Sequence, residues 1–291
     1  MDMESLRIFT AVAAELSITQ ASARLGRAPS NVTTRIQQLE ADVGVELFVR
    51  TGKRMAMSMA GERFLDYAQR LLALEEEARH VVTGGEDGGA LRIGSMESTA
   101  ASRLPGLLAA YHAGFPTTQL ELSTGPSRML LEQVRNGKMD CAFVALPTAW
   151  AGTDALADLG LSMRPVWREE LLLLLPASET GVRTTAQVRT RSLAAFKQGC
   201  TYRAIAEEHL GIAGNTEWRI QEMGSYHSMI ACVAAGACVT LLPKSVLELA
   251  KVPSSLKTLK AGRSDTCLVW RTDYDVPAFS NLLTQIGAQA S

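Results

Sequence analysis

The segment TGGEDGGA, residues 83–90, contains four glycines and two acidic residues. Glycine leaves the backbone unrestricted, and acidic side chains keep a linker in contact with water. This composition is typical of a connection between folded parts rather than of the interior of a helix or strand. A chain of 291 residues is also long for one domain. We therefore predict two or three domains, with the clearest boundary at this segment.

The overall composition indicates a globular protein that does not cross a membrane. Hydrophobic residues make up 47% of the chain, the formal net charge is −1, and no stretch approaches the ~18 apolar residues of a membrane span. The first residues, MDMESLRIF, lack the basic and apolar regions of a signal peptide. We therefore expect a cytoplasmic protein.

The distribution of cysteine and histidine does not indicate a metal site. The five cysteines are widely spaced, no CxxC pair occurs, and the four histidines are scattered. We expect free thiols in a reducing compartment, no metal and no cofactor. The sequence also lacks the motifs GxGxxG, GxxxxGK(S/T), GxSxG and HExxH. We therefore expect no catalytic residues and no enzyme activity.

The first forty residues predict three short helices. Apolar residues recur at helical spacing between Leu6 and Ala13, Ser17 is suited to cap the next helix, and Gly26 is suited to end it. Pro29 is tolerated in the first turn of the third helix. Two helices joined by a tight turn, the second with a polar face, are typical of a helix-turn-helix that reads the major groove of DNA. The candidate DNA-contacting residues on the second helix are Pro29, Ser30, Asn31, Thr33, Thr34, Arg35 and Gln38.

A basic hairpin is predicted directly after these helices. The segment VGVELFVRTGKRMAMSMAGERFL, residues 43–65, reads as a strand, a turn at Thr51 and Gly52, a second strand and a helix. Arg50, Lys53 and Arg54 would lie near the tip of this hairpin, where basic side chains can contact phosphates.

The stretch from Leu6 to Glu62 resembles the winged helix-turn-helix of LysR-type transcriptional regulators. The sequence departs from the usual pattern at Ala28, where the family commonly has a capping Ser or Thr, and at Pro29, where a polar residue is common. Pro29 cannot form a hydrogen bond to a base edge, so the bases read at that position are left open. The matching elements are LRIFTAVAAELSITQASARLG at 6–26, Val32, Arg35, Ile36, Leu39 and Glu40, ELFVR at 46–50, and AGERFL at 60–65.

This resemblance implies a long linker helix that pairs antiparallel with the same helix of a partner, giving a dimer or a dimer of dimers. A packed helix with no partner is the alternative. Apolar residues approximate a heptad seam along SMAGERFLDYAQRLLALEEEARHVV, residues 58–82. The seam positions are Phe64, Ala68, Leu71, Leu74 or Glu75, Ala78 and Val82.

The last two hundred residues alternate between strand and helix patterns, which indicates parallel βα units. The block TQLELSTGPSRMLLEQVRNGKMDCAFVALP is followed about a hundred residues later by TEWRIQEMGSYHSMIACVAAGACVTLLPKSV, with the same order of elements. Two similar lobes of this kind resemble the periplasmic-binding-protein-like effector domain of the same regulators. We therefore predict a multidomain α + α/β protein with a two-lobed clamshell. The predicted domains are 1–58, a linker helix and hinge at 59–89, and 90–291, with lobe I at about 90–163 and 265–291 and lobe II at about 164–264.

The resemblance implies a ligand cleft at the carboxyl ends of the strands. Hydroxyls and backbone N–H groups at helix starts favour an anionic ligand group, whereas Glu97 favours an ammonium. The candidate effector-binding residues are Ser95, Met96, Glu97, Ser98, Thr99, Thr124, Gly125 and Pro126 in the first lobe and Cys200, Thr201, Tyr202, Gly224 and Ser225 in the second.

These features together predict a transcription factor that binds double-stranded promoter DNA as an oligomer and responds to an unidentified small molecule. RNA polymerase is a further candidate partner. One alternative is a thiol-based redox switch at Cys200, with Lys197 close enough to lower the pKa of the thiol. A second alternative is a DNA-bridging protein that needs no ligand. An exported solute-binding protein is disfavoured by the first sixty residues.

Overall fold

The computed structural model describes residues 1–51, 54–82, 89–146 and 153–289. The chain forms two compact units, Met1–Gly84 with Asn136–Lys138, and Gly85–Arg135 with Met139–Ser291. Lys53 and most of the predicted hinge lie outside the described residues, and the residue-level domain boundaries stay predictions. Among the described helices, none is long and apolar enough to cross a membrane.

The first unit contains three short helices, a two-stranded antiparallel hairpin and one long helix. This order of elements confirms the winged helix-turn-helix predicted from the sequence. The elements are α1 (Met3–Glu15), α2 (Ile18–Leu25), α3 (Pro29–Val43), β1 (Phe48–Thr51), β2 (Arg54–Met57) and α4 (Met59–Val82).

Local capping interactions set the boundaries of the helices around the turn. The Ser17 hydroxyl accepts a hydrogen bond of 3.3 Å from the backbone N–H of Gln20, and Gly26 ends α2 in the left-handed conformation at φ 63°, both as predicted. Helix α3 begins without a side-chain cap because Ala28 carries no acceptor. Pro29 occupies the first turn, where its missing N–H leaves no intrahelical bond unmade.

Phe9 lies at the centre of the core of the first unit. It is fully buried, and its ring centroid is 5.4 Å from that of Phe48 in the hairpin and 5.1 Å from that of Phe64 in α4. The side chain of Glu40 fixes the hairpin to α3, since its Oε1 accepts hydrogen bonds from the backbone N–H groups of Leu47 and Phe48 at 2.7 and 3.1 Å. The apolar stripe of α3 packs into the same core through Val32, Ile36 and Leu39.

The seam predicted along α4 requires a correction. Ala68 is buried in the core of the first unit, and Phe64 and Leu71 pack against that core. These three residues therefore bind α4 to α1 and to the hairpin, and they are not free to contact a partner helix. Leu74 and Val82 of the predicted seam are exposed, as are the apolar residues Met59, Tyr67 and Val81 of the same helix.

The second unit alternates strands and helices over its described length. Its strands are β3 (Ala90–Ser95), β4 (Gln119–Thr124), β5 (Cys141–Ala145), β6 (Leu161–Leu175), β7 (Ser192–Ala195), β8 (Arg219–Glu222), β9 (Thr240–Pro243) and β10 (Lys257–Arg271). Its helices are α5 (Glu97–Ser102), α6 (Leu104–Gly114), α7 (Ser127–Arg135), α8 (Thr153–Ala157), α9 (Thr201–His209), α10 (Tyr226–Ala234), α11 (Lys244–Leu249) and α12 (Pro277–Gln289), with a 3₁₀ turn at Thr185–Gln187.

The same strand arrangement occurs twice in this unit. In the first half β4, β3 and β5 are parallel neighbours, and in the second half β8 and β7 are parallel, with a parallel bridge from Leu193 to Val239 just before β9. The long strands β6 and β10 pair antiparallel and extend into both halves, β10 against β5 and β6 against β9. This topology confirms the two-lobed α/β fold.

Two elements of the second unit are irregular. The segment STAASRLPGLLAAYHAGFP, residues 98–116, contains parts of two helices with a break at Arg103, because Pro105 provides no N–H to continue the first helix. The long strand β6 contains Pro165 next to a register shift. A proline inside a strand is tolerated at such an irregularity.

We predict that Gly61→Ala destabilises the first unit by about 1–3 kcal/mol. A β-carbon at this position would lie 2.0 Å from the carbonyl oxygen of Leu47, so α4 would have to move away from the hairpin. Urea unfolding of the full chain, followed by circular dichroism, measures the change. The control is Gly106→Ala in α6, where an added β-carbon meets no atom within 4 Å and where the helix gains about 0.5–1 kcal/mol. A Gly61→Ala variant as stable as the unmodified protein would contradict this packing.

Candidate functional site

The exposed face of α3 carries the predicted DNA-contacting residues. Ser30, Asn31, Thr34 and Gln38 are exposed, whereas Thr33 and Arg35 are partly buried at the edges of the face. Gln37 is also exposed and follows Thr34 by three residues, so it shares the centre of this face. Gln37 is not among the residues predicted from the sequence, although its helical spacing was sufficient to find it.

Several polar groups of α3 already have partners within the first unit. The Thr33 and Thr34 hydroxyls each donate a hydrogen bond of 3.0 Å to the carbonyl oxygen four residues earlier. The guanidinium of Arg35 lies 3.3 Å from a carboxylate oxygen of Asp2. Both groups of this ion pair are substantially exposed, and pairs of that kind contribute only about 0–1 kcal/mol. Arg35 can therefore exchange Asp2 for a phosphate at small cost.

Two of the predicted basic residues lie in the paired strands of the hairpin. Arg50 pairs with Met55 and Arg54 with Thr51 in the antiparallel register. The third position, Lys53, lies outside the described residues.

The second unit contains a cavity of about 270 Å³ between its two lobes. Pockets for drug-sized ligands are typically ~300–1,000 Å³, so this volume suits a small metabolite. The wall is formed by the ends of β4 and β8, the starts of α5, α7 and α10, and residues 196–202. The predicted residues that line it are Met96, Glu97, Ser98, Thr124, Gly125, Pro126, Cys200, Tyr202 and Gly224.

The four other predicted residues do not line the cavity, because hydrogen bonds or packing within the fold hold their side chains. The Ser95 hydroxyl donates to the carbonyl oxygen of Met96 at 2.9 Å. The Thr201 hydroxyl donates to the carbonyl oxygen of Ala145 in the other lobe at 2.7 Å. The Ser225 hydroxyl caps α10, and Thr99 is buried within α5.

Six further residues, which were not predicted from the sequence, line the cavity. Some of them lie next to predicted residues in the sequence, so the sequence located these loops correctly but included too few of their residues. Others come after β7, a short strand that the sequence pattern did not indicate. The six are Ser127, Phe196, Lys197, Glu222, Met223 and Tyr226.

Glu97 is the most enclosed charged residue of the cavity wall. Burial raises the pKa of its carboxyl, and the backbone N–H of Tyr226 in the other lobe acts in the opposite direction. Glu222 is exposed and lies 2.7 Å from Arg203, while Lys197 is exposed to solvent. Burial also raises the pKa of the Tyr226 phenol far above its ordinary value. The enclosed part of the wall is therefore apolar apart from Glu97 and a few hydroxyls.

Cys200 lines the cavity at the start of α9, but its pKa is raised rather than lowered. Burial is the main cause, and the backbone N–H groups and the charge of Arg203 offset it only in part. The prediction that Lys197 lowers this pKa is therefore wrong, because sequence proximity does not compensate for burial. The five cysteines are all free. In the part of the chain that the structure describes, no group of three or more His, Cys, Asp or Glu residues could hold a metal ion.

A hydrogen-bond network around the buried carboxylate of Glu169 connects the two lobes. Glu169, in β6, accepts hydrogen bonds from Arg103 Nε at 2.7 Å and from the Ser245 hydroxyl at 2.8 Å. The Ser102 hydroxyl lies 3.2 Å from that of Ser245. Ser102 ends α5, the helix that begins with Glu97 in the cavity wall. Helix α5 therefore connects the cavity directly to this network.

The winged helix-turn-helix and the two-lobed unit with its cavity define a class of DNA-binding proteins that carry a separate ligand-binding domain. Two family models match the chain, the bacterial regulatory helix-turn-helix protein, lysR family, at residues 3–62, and the LysR substrate binding domain at residues 84–291. The chain belongs to the LysR family of DNA-binding transcriptional regulators.

Relatives named as transcriptional regulators match most of the chain. The uncharacterized HTH-type transcriptional regulator YusT of Bacillus subtilis (strain 168) is 35% identical over 258 residues, covering 88% of this chain and 84% of YusT. The HTH-type transcriptional regulator GltR of the same strain is 32% identical over 292 residues, covering 98% of this chain and 96% of GltR. These relatives are regulators rather than enzymes.

The solved structure of CbnR, a LysR family transcriptional regulator, has the same fold. Its TM-score is 0.69 at 22% identity, with all of both chains covered. Full-length CbnR complexed with its target DNA gives a TM-score of 0.66 at 22% identity and 99% coverage of both chains.

We predict that Cys200 reacts with iodoacetamide as a thiol of raised pKa. The thiolate is the reactive form, so the alkylation rate should still be rising at pH 9. Mass spectrometry of the peptide that contains Cys200 gives the rate, and N-acetylcysteine in the same tube is the control. A pH midpoint below ~8.5, the value of an unperturbed thiol, would contradict the structure.

Proposed function

We propose that the protein regulates transcription by binding promoter DNA through its first unit, with α3 in the major groove. The observation that carries the proposal is the exposed polar face of α3 in a chain of the LysR family. Ser30, Asn31, Thr34, Gln37 and Gln38 contact base edges, because they form the centre of that face. Pro29 positions the start of the helix, and Thr33, Arg35, Arg50, Lys53 and Arg54 contact the backbone.

The protein acts as a dimer or a dimer of dimers through α4. The exposed Tyr67, Leu74 and Val82 support this part of the proposal, since apolar side chains on a long helix are suited to a partner helix. Two identical heads held in this way favour an operator with dyad symmetry. The protein acts on DNA in the cytoplasm and conveys regulation to RNA polymerase, without an enzyme activity of its own.

The cavity between the lobes binds the small-molecule effector. Its position at the carboxyl ends of strands β4 and β8, its volume and its walls from both lobes support this assignment. An effector regulates DNA binding only if its affinity differs between two arrangements of the protein. The network around Glu169 gives the lobes a defined relative position that an effector can change. The raised pKa of Cys200 does not support the alternative of a thiol switch.

We predict different effects for Asn31→Ala and Lys53→Ala on DNA binding. Sites selected from random duplexes by the full chain should share a sequence with dyad symmetry. Asn31→Ala should cost about 1–3 kcal/mol at its preferred base and relax the choice of base there, because asparagine can pair with a base edge. Lys53→Ala should weaken binding to all sequences and reduce the salt dependence by about one ion.

Fluorescence anisotropy on selected and scrambled duplexes, at several salt concentrations, measures both effects. The control is Lys251→Ala, which removes the same charge from an exposed residue of the second unit. If Asn31→Ala discriminates between duplexes as well as the unmodified protein does, α3 is not the reading helix in the proposed register. If the protein selects no common sequence at all, the DNA-bridging alternative replaces a sequence-specific regulator.

A further inference from the structure

Three residues of the cavity wall have a buried side-chain oxygen that lacks a hydrogen-bond partner among the described residues, namely Oε2 of Glu97 and the hydroxyl oxygens of Ser127 and Tyr202. The Tyr202 hydroxyl faces Ser264 and Thr266, which are not part of the cavity wall. Glu97 and Ser127 therefore offer their acceptors to the cavity. Both residues line the cavity, and Ser127 is only 1% exposed. A buried polar atom without a partner costs ~1–3 kcal/mol, so such atoms require an explanation. Their presence in one cavity indicates a ligand that supplies hydrogen-bond donors.

We propose that the cavity binds an amine, a small molecule with an apolar body and a protonated nitrogen that donates to Glu97 and Ser127. This inference rests on the proposed function, since it names the class of effector. An ionised carboxylate only accepts hydrogen bonds, and a hydroxyl can accept, so both atoms match an ammonium with its three donors. The pairing of an ammonium with a carboxylate is also stronger than a neutral hydrogen bond.

The other charges around the cavity are consistent with a cation at Glu97. Glu222 shares Arg203 with Glu207 and is exposed, so its remaining negative charge is screened by water and does not oppose a cation. Lys197 opposes a cation, but its side chain is exposed, and water screens exposed charges strongly. The enclosed carboxylate of Glu97 therefore outweighs Lys197 for a ligand that enters the cavity.

Helix α10 would ordinarily attract an anionic ligand, because its N-terminal backbone N–H groups carry partial positive charge. In this protein the backbone N–H of Tyr226, at the start of α10, faces the Glu97 carboxylate. The protein itself thus supplies the negative charge at this helix end. A ligand carboxylate placed there would be repelled by Glu97.

The rest of the wall suits the body of an organic amine. Phe196, Tyr202 and Tyr226 present aromatic rings, and Met96 and Met223 present thioethers. Aromatic faces attract cations, and methionine adapts to ligands of irregular shape. An apolar wall with one carboxylate selects for an amine with a hydrophobic group and against a strongly polar one.

The test uses three probes with the same phenyl body and different head groups, 2-phenylethylamine, 2-phenylethanol and 3-phenylpropanoate. Isothermal calorimetry and thermal unfolding of the full chain at pH 7.5 measure binding of each. We expect the amine to bind at least about tenfold more tightly than the alcohol or the carboxylate. Glu97→Gln should weaken amine binding by at least about tenfold, from the loss of a charge-assisted hydrogen bond, and leave alcohol binding within about threefold.

Glu208→Gln is the matched control, because it makes the same chemical change at an exposed residue of α9 outside the cavity wall. If Glu97→Gln does not fold, Glu97→Asp keeps the charge and should keep the preference for the amine. Ser127→Ala should also weaken the amine more than the alcohol.

Preference for 3-phenylpropanoate, lost in Lys197→Ala, would overturn the amine proposal and leave the cavity as a site for carboxylates. Equal binding of all three probes, or no binding of the amine, would also overturn it. DNA binding by the same preparation distinguishes these failures from failure of the proposed function. A protein that selects a DNA sequence but rejects the amine stays a regulator with another class of effector.

Discussion

The antiparallel pairing of β6 with β10 is the constraint on which the ligand-binding unit depends. Each strand has 15 residues, and together they contact both lobes, since β10 also pairs with β5 and β6 with β9. The hydrogen-bonded ladder is interrupted next to Pro165, where the register shifts. Irregularities of this kind bend a strand and increase its twist. Any change that a ligand causes in the relative position of the lobes must bend this pair of strands.

Helix α5 relates the cavity to these strands. It begins with Glu97 in the cavity wall and ends with Ser102, and the next residue, Arg103, donates to Glu169 in β6. The Glu169 carboxylate is buried, whereas the Arg103 side chain is about one third exposed. An effector that repositions α5 therefore also moves the groups that Glu169 holds.

The sequence was sufficient for features that depend on near neighbours and insufficient for those that depend on distant ones. The cap at Ser17, the end of α2 at Gly26 and the repeated strand order follow from local chemistry and periodicity, and the structure confirms them. The hydroxyl of Thr201 donates a hydrogen bond to a carbonyl oxygen 56 residues away in the sequence. The sequence therefore could not show that this hydroxyl does not face the cavity. Burial of Cys200 likewise depends on the fold, and proximity to Lys197 in the sequence gave the wrong sign for its pKa.

The position of Glu97 determines how an amine would act on the lobes. Its Oε2 is free, and the backbone N–H of Tyr226 also faces the carboxylate, so a bound cation and the start of α10 would share one charged group. Movement of the carboxylate toward an ammonium would change the contact that Glu97 makes across the lobes. The Ser98 hydroxyl faces the Tyr226 phenol at the same boundary and would respond to the same movement of α5. On the amine proposal, ligand binding and lobe contact are thus coupled through a single carboxylate, and Glu97→Gln alters both.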